Sequence, residues 1–326
     1  MRSPRIIAAT VALLTVFLIS FVTKLGSAEK TKVIAIATLM SHPALDAVQR
    51  GIIEELRRQG FVEGKNVRFV FRNANGQVQL AASIARELVA QGPNITVSIT
   101  TPMSQAVAKV ARGPVVFAAV TDPVGAGLVR SLEKGEATIT GTSDAWPYED
   151  QLKLIRKITP QVKRMGVLYN PGEAASQYGI REIRKYAPRF GFKLVEAAAN
   201  TTLEVYPVAQ NLAGRVDALF LSSDNTVIGG MAGALKVSIE HRIPLYVGDS
   251  GTVEKGGLAA VSVGYSALGR ETGKLVARVL RGERNIPTFV ARGSEIYLNR
   301  KAAELMGVTF PADVLRSATK VFDRIQ

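Results

Sequence analysis

Short β-rich runs alternate with longer helical ones from residue 33 onward, the same rhythm restarts after residue 144, and the last third interleaves strands and a helix that neither half needs. Together these predict an α/β protein made of two doubly wound parallel-sheet domains joined by a three-strand hinge. In the first half, strands are expected at 33–38, 67–73, 95–100 and 115–120. Helices lie between them at 43–59, 79–90 and 103–110, the first carrying Leu45, Val48, Ile52, Ile53 and Leu56 at helical spacing. In the second half, strands at 165–169, 193–198, 218–222 and 244–248 alternate with helices at 148–158, 176–186, 205–212 and 227–241. Strands that are apolar on both faces suit sheets covered by helices on two sides. The remaining strand, helix and strand, at 258–263, 267–281 and 288–299, imply that the chain crosses between domains near 140–146, 263–266 and 291–295. One lobe is therefore expected to comprise 29–143 plus 266–290, and the other 144–265 plus 291–326.

The N-terminus predicts the compartment. Arg2 and Arg5 precede an apolar run from Ile6 to Val22, and Gly26, Ser27 and Ala28 follow. This is the order of a secretory signal peptide, with cleavage expected after Ala28 and a periplasmic destination. The chain has no cysteine, which removes disulfides, thiolate metal sites and cysteine nucleophiles. The net charge of +14 falls to +11 without the three basic residues before position 29. The remaining bases are scattered through helical segments, a solvated-face pattern that argues against nucleic acid as a partner.

Enzyme chemistry has little to work with. The two histidines, His42 and His241, fall in different expected domains, no Gly-x-Ser-x-Gly elbow or phosphate-loop lysine pattern is present, and no histidine pair has metal-ligand spacing. Neither an enzyme nor a cofactor or metal is expected.

Ligands of open α/β sheets bind beyond the carboxyl ends of the strands, where loops lead into helix N-termini. In the first lobe these loops carry Ser41 and His42, Thr101 and Ser104, and Thr121 and Asp122. Thr101 and Ser104 offer hydroxyls beside free backbone N–H groups for a ligand carboxylate, or simply cap their helix. In the second lobe they carry Glu173, Asp224 with Asn225, and Asp249. These carboxylates suit a ligand ammonium, with Asp224 and Asp249 foremost, and each is equally readable as a helix cap or turn former. Trp146, the single tryptophan, falls in the first crossing, either stacking on a ligand ring or buried in the hinge.

A string of motifs gives the reading a family. They include His42-Pro43-Ala44-Leu45-Asp46, Asn73-Ala74-Asn75-Gly76, Val120-Thr121-Asp122-Pro123-Val124-Gly125, Gly166-Val167-Leu168-Tyr169-Asn170-Pro171, Ser223-Asp224-Asn225-Thr226 and Gly264-Tyr265. In this order they resemble the periplasmic substrate-binding proteins of ABC transporters whose members take aromatic amino acids such as tryptophan. The resemblance implies a type I periplasmic-binding fold, an aromatic amino acid or related carboxylate in the interdomain cleft, and an ABC permease of the inner membrane as partner. Two positions depart from it: Ser41 and Gln77 stand where the family often has acidic residues. A ligand-presenting partner of a membrane sensor is the alternative role, and a branched amino acid or aromatic carboxylate the alternative ligand.

Overall fold

The computed structural model describes residues 31–326; the segment read as an export signal lies outside the described residues. Strands β1 (Lys32–Thr38), β2 (Val67–Asn73), β3 (Ile95–Ile99), β4 (Val115–Ala118) and β5 (Ile139–Ser143) join the late β11 (Phe289–Val290) in one sheet. Its order is β11-β5-β4-β3-β1-β2, with every neighbouring pair parallel. Helices α1 (Pro43–Arg58) and α10 (Tyr265–Leu280) cover one face, and α2 (Val78–Ala90) and α3 (Thr101–Val110) the other. Strand β1 shows why both faces are covered: Ile34 and Ile36 enter the core under α1 and α10, while Ala35 and Ala37 enter the core under α2 and α3. A strand apolar in both registers cannot leave either face to water.

The second sheet runs β7-β6-β8-β9, from β6 (Arg164–Tyr169), β7 (Lys193–Ala198), β8 (Ala218–Leu221) and β9 (Leu245–Tyr246). It continues through backbone hydrogen bonds from Leu258 to Leu245 and from Val247 to Ala259. These lead into β10 (Ala259–Ser262), β12 (Glu295–Asn299) and β13 (Lys320–Phe322). Strand β12 is antiparallel to β10, a departure from the purely parallel sheet expected. It enters directly from the other sheet after a short crossing, so no crossover helix brings it round to the parallel direction.

The chain passes between the two sheet systems three times. The first passage is between β5 and α4 (Tyr148–Ile158), the second between β10 and α10, and the third between β11 and β12. The remaining helices are α5 (Ala174–Tyr186), α6 (Val205–Leu212), α7 (Asn225–Gly229), α8 (Met231–His241), α9 (Ser250–Glu254), α11 (Arg300–Met306) and α12 (Ala312–Ser317). A single helix was expected over 227–241, but the chain breaks it at Gly230, where a Cβ would meet the Thr202 carbonyl at 2.5 Å and Val205 at 2.5 Å. The short α7 is thereby freed to aim its start at the cleft.

Helices α1 and α10 meet backbone to backbone, which is what welds the late helix to the first sheet. A Cβ at Gly51 would stand 2.6 Å from the Ser266 carbonyl oxygen, and one at Gly269 would stand 2.3 Å from that of Val48. Any side chain there must separate the helices. Gly269→Val is expected to destabilise the protein by about 1–3 kcal/mol, the usual range for overpacking, measured as a lower midpoint in urea unfolding.

Candidate functional site

The carboxyl ends of both sheets face one another across a cleft of about 470 Å³ when its open mouth is included. The first lobe contributes Met40, His42, Leu45, Thr100, Thr101, Ala119 and Thr121 to its walls. The crossings contribute Asp144, Trp146 and Tyr265, and the second lobe Ala175, Ser223, Asp224, Asn225, Ile228 and Asp249.

Six of the ten residues singled out from the sequence line this cavity: His42, Thr101, Thr121, Asp224, Asn225 and Asp249. The other four do not. Ser104 is fully buried behind the wall, where its hydroxyl donates to the Thr100 carbonyl at 2.7 Å and meets the Ser98 hydroxyl at 2.9 Å. Glu173 is spent on the start of α7, accepting the Asn225 N–H at 3.1 Å and the Thr226 N–H at 2.9 Å. Asp122 lies at the lip, holding the Gly125 N–H at 2.8 Å and Arg181 of the opposite lobe at 3.2 Å. Ser41 is exposed and accepts from Asn73 at 3.0 Å. Conversely, Asp144 and Tyr265 line the cavity without having been read as ligand-binding residues, Tyr265 having figured only in the family motif. They face the cavity only because their crossings do, and no local spacing marks them.

The electrical character of the cleft is divided. Helices α1 and α3 of the first lobe begin at the cavity without a side-chain cap. Their free N–H groups and positive dipole ends therefore favour an anion there. Thr100 precedes α3 at φ 86°, a left-handed conformation rare for a β-branched residue. Its buried hydroxyl has no protein partner among the described residues. Ala119, also on the wall, has φ 50°, so backbone strain is concentrated at this side of the cleft. In the second lobe the helix starts are acidic. Asp224 accepts the Val227 N–H at 2.8 Å to cap α7, and Asp249 accepts the Thr252 N–H at 2.9 Å to cap α9. No lysine or arginine is among the residues lining the cavity.

Burial makes two of the lining carboxylates, Asp224 and Asp144, reluctant to ionise. Desolvation raises Asp224 to about 7, with the neighbouring Glu173 charge adding to the shift, and raises Asp144 to about 6. His42 is shifted down by its own burial against the opposing pull of Asp249. Its ring lies 3.3 Å from the Thr252 hydroxyl and 4.0 Å from Asp249. That contact joins the lobes, as do Thr121 and Ser223, whose hydroxyls are 2.8 Å apart. The cleft is closed.

Residues 33–322 match the family model described as ABC transporter substrate binding protein. The chain belongs to that family. Members bind solutes outside the cytoplasm and in general do not transform them, and no helix among the described residues is long and apolar enough to cross a membrane. The chain is 34% identical over 279 residues to a tyrosine-binding protein of Clostridioides difficile, covering 85% of this chain and 81% of that protein. Among solved structures, an ABC domain from Streptococcus pneumonia in complex with L-Trp is 33% identical with a TM-score of 0.86. A ligand-free, open substrate-binding protein from Clostridium difficile is 32% identical with a TM-score of 0.69. Both alignments cover 90% of this chain and 100% of the other. At nearly equal identity the chain overlays the L-Trp complex better than the open protein, in keeping with the contacts across its cleft.

The raised carboxyl of Asp224 makes a signed prediction. The folded state holds its proton through a pH range in which the unfolded chain, near 3.8, has released it. Stability from this group is therefore complete below the unfolded value and is lost as pH rises toward about 7. Asp224→Asn keeps a capping oxygen but cannot ionise. Between pH 4 and 7 the unfolding free energy of the variant is expected to gain on that of the unliganded wild type, with a slope approaching about 1.4 kcal/mol per pH unit. Urea titrations at a series of pH values measure the difference.

Proposed function

We propose that this substrate-binding protein captures an aromatic α-amino acid in the periplasm and delivers it to an inner-membrane ABC permease without altering it. The divided electrical character of the cleft carries the reading. A zwitterion fits with its carboxylate on the uncapped starts of α1 and α3, near Thr100 and Thr101, and its ammonium toward the carboxylates that line the cavity. Met40, Leu45, Trp146 and Ile228 supply the apolar wall for a ring. The relatives that bind tyrosine or hold L-Trp support this ligand class over a branched amino acid. The lobes we propose are 29–143 with 266–290 and 144–265 with 291–326, the first 28 residues being removed on export. They swing about the three crossings, and the closed form is what the permease engages.

Titration of the refolded protein, from residue 29 onward, with tyrosine, tryptophan and phenylalanine is expected to raise the melting temperature and to lower the radius of gyration in solution scattering. Binding with no change in the radius of gyration rejects the closing mechanism. A response to aromatic acids without an amine, and none to the amino acids, rejects the zwitterion. Trp146→Ala, which removes a cavity wall and its indole N–H bond to Tyr265 at 3.1 Å, is expected to weaken the best ligand by roughly tenfold or more, read by calorimetry.

A further inference from the structure

We propose that Asp144 is the ammonium anchor of the cleft and the residue that makes it select amines, an inference that rests on the amino-acid reading above. Three carboxylates line the cavity, and their partners set them apart. Asp224 accepts backbone N–H groups from Val227 and from Asn170 with its two oxygens. Asp249 accepts the N–H and the hydroxyl of Thr252. Both therefore have their oxygens taken up by the chain, Asp224 at the start of α7 and the loop after β6, Asp249 at the start of α9, and would be needed there with no ligand at all.

Asp144 caps nothing. It follows β5 in the first crossing and is 5% exposed, and among the described residues the side chains that hydrogen-bond to it are two neutral hydroxyls. That of Tyr265 donates to one oxygen at 2.9 Å, and that of Thr121 donates to the other at a long 3.3 Å. No lysine or arginine among the described residues forms an ion pair with it, and none lines the cavity. A buried carboxylate with spare acceptor capacity and no cation is costly to keep, and its burial is reflected in its raised pKa. An ammonium brought by the ligand supplies the missing charge through charge-assisted hydrogen bonds.

The same Tyr265 hydroxyl that donates to Asp144 accepts the Trp146 indole N–H at 3.1 Å. The charged anchor and the aromatic wall are thus fixed to one another through a single atom, which sets the separation between a ligand's amine and its ring. A ligand with the ring and the carboxylate but no amine leaves Asp144 unpaired. Sites built around a buried polar group reject such analogues strongly.

The test compares phenylalanine with 3-phenylpropionate, which lacks only the amine, by calorimetry at pH 7.5 on wild type, Asp144→Asn, Asp224→Asn and Asp249→Asn. Wild type is expected to prefer phenylalanine by roughly 100-fold or more. Asp144→Asn is expected to lose most of that preference, through weaker phenylalanine binding with 3-phenylpropionate kept or improved, and to lose more of it than either Asp224→Asn or Asp249→Asn. Near-UV circular dichroism checks folding, and Asp144→Ser serves if the asparagine variant fails to fold. Undiminished selectivity in the Asp144 variant, or an equal loss in either comparator, overturns the assignment. Wild-type protein that binds none of phenylalanine, tyrosine and tryptophan overturns the amino-acid reading itself, and this inference falls with it.

Discussion

The fixed handedness of strand, helix, strand connections in a parallel sheet is the constraint on which the rest depends. It sends every strand end and every following helix start of a lobe to one edge. Two lobes built this way and set edge to edge bring a ring of helix N-termini around a single cleft. The chain then chooses, helix by helix, whether to leave that end bare or to cap it with a carboxylate. Bare starts at Pro43 and Thr101 and acidic ones at Asp224 and Asp249 give the cleft its two signs with no lysine or arginine on its walls. The polarity of the site is thus largely a property of the backbone, to which four or five side chains add direction.

The glycines of α1 and α10 serve the same end from the outside. Helix α10 arrives late in the chain, after the second lobe has been built, yet it must lie on the first sheet for Tyr265 at its start to reach the cleft. Close backbone approach at Gly51 and Gly269 holds it there. Packing remote from the ligand therefore decides where a wall residue stands, a common reason that core substitutions alter binding.

Much of the fold was legible because its signals are local. Apolar runs such as Ile34 to Ala37 carry their own evidence for a two-sided strand, and the interleaved last third announced the crossings. The short elements after residue 300 were passed over, since helices of six or seven residues are too brief to show a period. The site was legible by position and less so by partner. Thr101, Asp224 and Asp249 stand where strand ends lead into helices, and the structure puts them on the cavity wall. Ser104 looked equally suitable, but one turn into the helix its hydroxyl folds back on the Thr100 carbonyl. Glu173 serves a helix 52 residues further on, and Asp144 is defined by a tyrosine 121 residues away. No reading of neighbours along the chain anticipates such pairings.

The lips of the cleft have one more consequence. Asp122 meets Arg181 there, side chain to side chain, and neither residue lines the cavity. Part of the free energy of shutting therefore belongs to the chain itself, and a ligand supplies only the remainder. A carrier of this kind is tuned at its rim as well as in its pocket: changes in the lips shift the resting balance between open and shut, and with it the apparent affinity for every solute alike. They also set how often an empty carrier presents the shape of a full one, so a transporter that recognised shape alone would spend cycles on vacant cargo. Discrimination between loaded and unloaded carriers must then draw on something besides the outline of the closed molecule.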